Sequence, residues 1–301
     1  GGTHATASRE FLLPNAFNAK HTKMLKDAVN IPVFIGHNIF SPEDAEKMLA
    51  EGNADFVALG RSQLADPAWA KKAKEGRASD IKPCINCLIG CIDRGMLSHT
   101  PIHCTVNPSL YRFECKPVEK AETRKQVAVV GAGPTGCEAA LTASKRGHQV
   151  TIYEKRCIGG AMIEASKPEN KANIKRLIHY YEDHIMHDPN ITLVKKEVEY
   201  ETLVHRGYDA VIIAVGGKTR ILNVPGIEKN SVIYASDYLN GSTAVTGNTV
   251  VVIGGGITGA ETALELNAEG KKVTIVEMTD AFLANLVPLV RHILQRSMKQ
   301  T

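Results

Sequence analysis

No stretch of this sequence approaches the ~20 consecutive apolar residues that a membrane-spanning helix requires, and its first residues, GGTHATASRE, lack the charged, apolar and cleavage regions of a secretory signal. No membrane role is expected, and the cytoplasm is the expected location. Blocks of one charge are missing too. The 36 basic and 32 acidic residues, net +4, are scattered along the chain without interleaved aromatics, so a nucleic-acid partner is not indicated. Nor do the cysteines suit a disulfide framework: seven is an odd number, and four of them crowd between Cys84 and Cys104. A chain of 301 residues with 44% apolar content can bury two or three cores without such staples. Metal binding in a reducing compartment is expected instead. The chain also begins with Gly instead of Met, and a preceding segment is expected.

What is present divides into three textures. From Ile31 the pattern alternates strand and helix. Ile31 to Gly36 and FVALG at 56–60 read as short apolar strands of the buried parallel kind. Between them Ser41 is placed to cap a helix, with Pro42 at its first position, Asp44 at capping-box spacing and Gly52 after its end. Asp66, Pro67 and Gly76 bracket a second helix. Such alternation predicts parallel strands with helical crossovers. A closed eightfold barrel takes ~250 residues, however, and only 83 precede the cysteines, so at most three barrel units are expected. Gly36 and the pair Gly60-Arg61 end the two strands. Parallel barrels bind phosphate on such loops, and a glycine that admits the anion beside an arginine that clamps it predicts an FMN phosphate site.

From Gln126 a repeat appears. VAVVGAGPTGCEAALTASKRGHQVTIYEK at Val127 to Lys155 aligns without gaps on VVVIGGGITGAETALELNAEGKKVTIVEM at Val250 to Met278, Gly131 falling 123 residues before Gly254. Each copy reads as one βαβ unit, and YDAVIIAVGG at 208–217 reads as a buried strand returning between them. Gly131, Gly133 and Gly136 form G-x-G-x-x-G between an apolar strand and a helix. The bare backbone can turn tightly and approach a pyrophosphate, whose charge meets the free amides and positive end of the helix. Glu154 closes the next strand, 23 residues after Gly131, where a carboxylate accepts hydrogen bonds from a ribose. Gly254, Gly256, Gly259 and Glu277 repeat the pattern. No basic residue directly follows Glu277, so NADH is favoured over NADPH. Glu138 and Glu261, two residues after each third glycine, read as polar first-turn positions that suit the helix dipole.

Cys84, Cys87, Cys91 and Cys104 form C-x2-C-x3-C-x12-C. Three close thiolates can cap three corners of an iron–sulfur cubane while a remote fourth takes the last iron. The alternative is zinc, which more usually draws on two separated C-x-x-C pairs. His99 and His103 read as solvated loop residues. Cys115, Cys137 and Cys157 have no partner at metal-binding spacing, and Cys137 is expected to be a small buried apolar side chain. Neither βαβ copy contains a C-x-x-C redox pair, which argues against a thioredoxin-reductase-like enzyme.

The order ALGRSQLADP, CINCLIGC, CTVNP and then two glycine fingerprints resembles the Old Yellow Enzyme-like flavoproteins with an iron–sulfur cluster, which include 2,4-dienoyl-CoA reductase, trimethylamine dehydrogenase and bile-acid enone reductases. The resemblance covers essentially the whole chain. It implies an α/β protein in four parts: the end of a TIM barrel over 1–80, a 4Fe-4S segment and linker over 81–122, a Rossmann-like FAD domain over 123–217, and an incomplete NAD(P) domain over 218–301. It further implies that Gly60 and Arg61 hold FMN, that the four cysteines ligate the cluster, and that Gly131 to Glu154 with Gly159 and Gly160 hold FAD. Gly254 to Glu277 would receive the nicotinamide nucleotide, and His4 sits where dienoyl-CoA reductases carry an active-site histidine. Most of the barrel and the return segment of the FAD domain have no counterpart, so the chain is expected to be a fragment of a longer protein. The implied reaction passes electrons from NADH through FAD, the cluster and FMN to the double bond of an enone or enoyl-CoA. Two alternatives stay open: an amine dehydrogenase with ADP in the first site, and a piece that binds nucleotide or cluster without turnover.

Overall fold

The computed structural model describes residues 16–110, 118–168, 171–284, 286 and 288–299. His4 and Cys115 lie outside them. The first element, α1 (Ala19–Ala28), precedes a short parallel pair, β1 (Phe34–Ile35) and β2 (Phe56–Val57). Between the two strands runs α2 (Pro42–Ala50), whose N-terminus is closed by the Ser41 hydroxyl accepting from the Asp44 amide at 3.0 Å. The capping residues therefore act as their spacing indicates. Ile35 is fully buried with Ile39, Met48 and Ala54. Phe34 and Phe56 instead stack at 4.8 Å on a face that leaves them 63% and 50% exposed. The expectation of fully buried strands is thus corrected: successive side chains of a pleated strand point to opposite faces, and only one face here meets the helix. The helix expected between Asp66-Pro67 and Gly76 is α4 (Trp69–Lys74), and a short α3 (Arg61–Ala65) precedes it, separated at Asp66, whose carboxylate accepts from the Ala68 amide.

A four-stranded parallel sheet follows in the order β5-β4-β3-β6, formed by β3 (Gln126–Val130), β4 (Gln149–Tyr153), β5 (Ile191–Val194) and β6 (Ala210–Ile213). Its crossovers include α5 (Pro134–Lys145), the short α6 (Met162–Ala165), α7 (Ala172–Met186) and α8 (Tyr200–His205). Along α7, Ile174, Leu177, Tyr181 and Ile185 recur at helical spacing and are buried. Leu177, Tyr181 and Ile185 join Val127, Val129, Val150 and Ile152 in one core, which Phe40, Ala65, Cys84 and Val106 enter from the preceding segments. The return strand β6 lies at the sheet edge with Ile213 63% exposed, so the reading of 208–217 as a buried strand is also corrected.

After α9 (Ala235–Leu239), the strands β7 (Thr249–Ile253) and β8 (Lys272–Val276) pair in parallel around α10 (Ile257–Ala268), and α11 (Pro288–Met298) ends the described chain. Gln126 pairs with Gln149 and Thr249 with Lys272, so the 123-residue repeat legible in the sequence is a repeat of strand register. Among the described residues no helix is long and apolar enough to cross a membrane.

The repeat extends to a contact that the sequence concealed. Glu138 accepts from Lys82 Nζ at 2.6 Å and from the Tyr181 hydroxyl at 3.0 Å, while Glu261 accepts from Lys171 Nζ at 2.6 Å. The two glutamates are therefore tethers between successive parts of the chain, a role beyond their reading as polar first-turn positions. Burial and the Glu138 carboxylate push the Tyr181 hydroxyl well above the ordinary tyrosine range, keeping it a donor. Glu138→Ala would leave a part-buried ammonium and a buried hydroxyl without this acceptor, and is expected to cost about 1–3 kcal/mol in urea unfolding. An unchanged midpoint would show the tether to be solvent-screened.

Candidate functional site

The C-terminal ends of β1 and β2 carry Gly36 and Gly60, and α3 begins immediately after with Arg61. The cysteine segment is laid beside them by two local features. Leu88 takes a left-handed conformation (φ 60°) and starts a wide helical turn over Ile89–Leu97 that carries Cys91. The following strap then crosses back over Gly90: the His103 amide donates to the Gly90 carbonyl at 2.8 Å, and a Cβ on Gly90 would stand 2.5 Å from the His103 carbonyl oxygen. Only glycine permits this crossing. The crossing delivers Cys104 to the side of the other three.

All four cysteines line one cavity, partly open to solvent, together with Arg61 and His103. His103 is therefore a wall residue and not the solvated loop residue expected; His99 is exposed. The Asn86 amide donates to Cys84 Sγ at 3.4 Å, and Thr105 Oγ1 lies 3.2 Å from Cys87 Sγ. Burial pushes the Cys84 thiol up to about 12, partly offset by the Arg61 guanidinium, and burial also raises Cys91 and Cys104. Such thiols become ligands when a metal displaces their protons. Among the described residues, no three His, Cys, Asp or Glu groups converge so as to hold one metal ion.

Arg61 does more than face this cavity. Its Nη2 donates to Asn38 Oδ1 at 2.9 Å, its Nη1 donates to Asn86 Oδ1, and its guanidinium carbon lies 5.6 Å from the centre of the Phe40 ring. Sequence reasoning missed both asparagines, as neither lies in a motif and both partners are more than 20 residues away in the chain.

The two glycine loops are built alike. The Gly131 amide donates to the Tyr153 carbonyl and the Gly254 amide to the Val276 carbonyl, each at 2.8 Å. A Cβ on Gly136 would stand 1.9 Å from the Gly131 oxygen, and one on Gly259 would stand 1.9 Å from the Gly254 oxygen. Gly133 and Gly256, at the helix N-termini, have room beside them, the nearest atom to a Gly133 Cβ being Gly160 Cα at 3.8 Å. Gly159 donates to the Ala132 carbonyl at 2.8 Å, which brings Gly159 and Gly160 to the first loop. Glu154 accepts from the Ala132 amide and Glu277 from the Gly255 amide, both at 2.7 Å. Each acid thus braces its own glycine loop, a role added to the ribose contact expected of it; a carboxylate has acceptor sites for both. The amides of Gly255 and Thr279 hold the Glu277 carboxyl below its ordinary range. Cys137 is fully buried and its thiol donates to the Ala132 carbonyl at 3.2 Å.

The family model described as pyridine nucleotide-disulphide oxidoreductase matches residues 114–167 and 125–301, and that of the NADH:flavin oxidoreductase / NADH oxidase family matches residues 7–80. The chain is 42% identical to an NADH oxidase of Thermoanaerobacter brockii over 89% of its length, and 34% identical to a cinnamate reductase of Clostridium sporogenes over 87%. It spans 42% and 39% of the lengths of these relatives. A solved 2-naphthoyl-CoA reductase in complex with 2-naphthoyl-CoA superimposes with a TM-score of 0.89 at 30% identity, covering 97% of this chain and 45% of that one.

Proposed function

This chain belongs to the Old Yellow Enzyme-like flavoproteins of the 2,4-dienoyl-CoA reductase and trimethylamine dehydrogenase type, and from that premise we propose that it forms part of an NADH-dependent reductase of activated carbon–carbon double bonds. The observation that carries the reading is the single cavity in which Cys84, Cys87, Cys91 and Cys104 meet Arg61, between the end of β2 and the first glycine loop. When bound, FAD, a 4Fe-4S cluster and FMN supply hydride and single-electron chemistry between the nicotinamide nucleotide and an unsaturated carboxylate, thioester or ketone.

The residues present fit those groups. The four thiols line one space partly open to solvent, and three close cysteines with a fourth remote one suit the corners of a cubane better than the two separated C-x-x-C pairs usual for zinc. Gly133, at the N-terminus of α5, and Gly160 approach so closely that a Cβ on Gly160 would stand 2.8 Å from Gly133 Cα, and the bare backbone there leaves the helix N-terminus open to a pyrophosphate, whose charge would meet the helix dipole. The loop of Gly254, Gly256 and Gly259 does the same at α10 for the nicotinamide nucleotide. Glu277, held ionised by its loop, accepts ribose hydroxyls and repels a 2′-phosphate. Gly36, Gly60 and Arg61 hold the FMN phosphate at the strand ends. His4 is the proposed active-site histidine.

The anaerobically purified full-length protein, analysed for iron, sulfide and flavin, is expected to contain all three and to consume NADH when given an α,β-unsaturated acid, thioester or ketone, whereas the 301-residue chain alone is expected to reduce little of them. Flavin bands with zinc and no sulfide would overturn the cluster. Oxidation of a secondary or tertiary amine, with no turnover of NADH, would replace the reductase reading by an amine dehydrogenase.

A further inference from the structure

We infer that Asn86 and Asn38 are positioning residues for the flavin-phosphate arginine, so that the cysteine loop and the FMN phosphate site are built as one unit; the inference rests on the reading of Arg61 given above. Asn86 lies between Cys84 and Cys87. Its backbone amide donates to Cys84 Sγ at 3.4 Å while its side-chain oxygen accepts from Arg61. One residue therefore touches both a cysteine of the cavity and the arginine that closes the barrel-type strand. Asn38, at the end of β1, accepts from the other terminal nitrogen of the same guanidinium.

Both asparagines are buried, at 7% and 2% exposure, and both hold a left-handed backbone, with φ of 56° and 49°. Among residues with a side chain, asparagine tolerates that conformation best, and its amide oxygen is a neutral acceptor. Neutrality matters. An acidic partner at either position would fix the guanidinium equally well but cancel the charge that attracts a phosphate, whereas an amide fixes it and leaves the charge in place. An arginine so close to buried thiols, without this bracket, could also turn toward a thiolate; the two amides and the Phe40 ring hold it from three sides.

The test compares FMN with riboflavin, which lacks the phosphate, on the intact flavoprotein after its FMN has been removed and added back. Asn86→Gly keeps the left-handed backbone without strain and removes the side chain with its acceptor. It is expected to weaken FMN binding about tenfold, to leave riboflavin binding unchanged and to retain iron. Asn38→Gly should do the same without altering the cysteine loop, and it decides the matter if Asn86→Gly fails to fold or to take up iron. Equal losses for FMN and riboflavin, or no loss in the deciding variant while Arg61→Ala loses FMN selectively, would overturn the inference alone. An Arg61→Ala protein that binds FMN like the wild type would overturn the underlying phosphate site.

Discussion

Cys104→Ser is expected to yield protein with little iron or sulfide and without the broad visible absorbance of a cluster. Cys84, Cys87 and Cys91 reach the cavity from one short loop, but Cys104 arrives on a separate strap held over Gly90 by the His103 amide. Removing it takes away the only one of the four that closes the cavity from that side. Serine supplies a hard oxygen that iron–sulfur chemistry uses poorly, and a cubane with an unligated corner is exposed to solvent through the open part of the cavity. Cys157→Ser is the matched control, since that thiol is exposed and lies outside the cavity. Iron and acid-labile sulfide measured on both variants decide the assignment. Stoichiometric iron retained by Cys104→Ser would remove Cys104 from the ligand set.

Gly136→Ala and Gly133→Ala, three residues apart, are expected to fail in different ways. A methyl on Gly136 would stand 1.9 Å from the Gly131 carbonyl oxygen, and Gly131 cannot retreat because its φ of +100° and its hydrogen bond to Tyr153 fix the loop. The helix must then separate from β3, at a cost of at least ~3 kcal/mol. A large fall in Tm and loss of FAD together are the expected result. A methyl on Gly133 meets no atom closer than 3.8 Å, so the fold survives with a near-normal Tm. The methyl instead covers the helix N-terminus that a pyrophosphate would approach, and FAD content should fall while stability does not. Should Gly133→Ala bind FAD as the wild type does, that helix N-terminus is not the pyrophosphate cradle. Gly259→Ala and Gly256→Ala repeat the contrast for the nicotinamide nucleotide, since a methyl on Gly259 would stand 1.9 Å from the Gly254 oxygen while one on Gly256 meets no atom within 4 Å.

Much of this site could be read before any coordinates. The Ser41 cap, the repeat register and the close approach at each third glycine are local: they follow from side-chain size, hydrogen-bonding type and spacing within one βαβ unit. The burial of Cys137 was legible for the same reason, because a small residue after the third glycine must face the sheet. The strand faces were not. Ile213, Phe34 and Phe56 belong to apolar runs that periodicity alone reads as buried, yet half or more of each of these side chains is exposed, because burial depends on what covers a face and not on the strand itself.

By itself, the sequence determined the chemistry of the parts: thiols at cluster spacing, two glycine loops with their terminal acids, and a glycine-arginine pair at a strand end. Those patterns act over a few residues, where covalent geometry limits the choices. Only the tertiary structure decided how the parts are joined. It set Arg61 between Asn38 and Asn86, tied Lys82 to Glu138 and Lys171 to Glu261, and turned His103 into a wall of the cysteine cavity. These contacts bridge 13 or more residues of chain, and a pairing across such a span is chosen by the packing of whole elements, which no local pattern encodes.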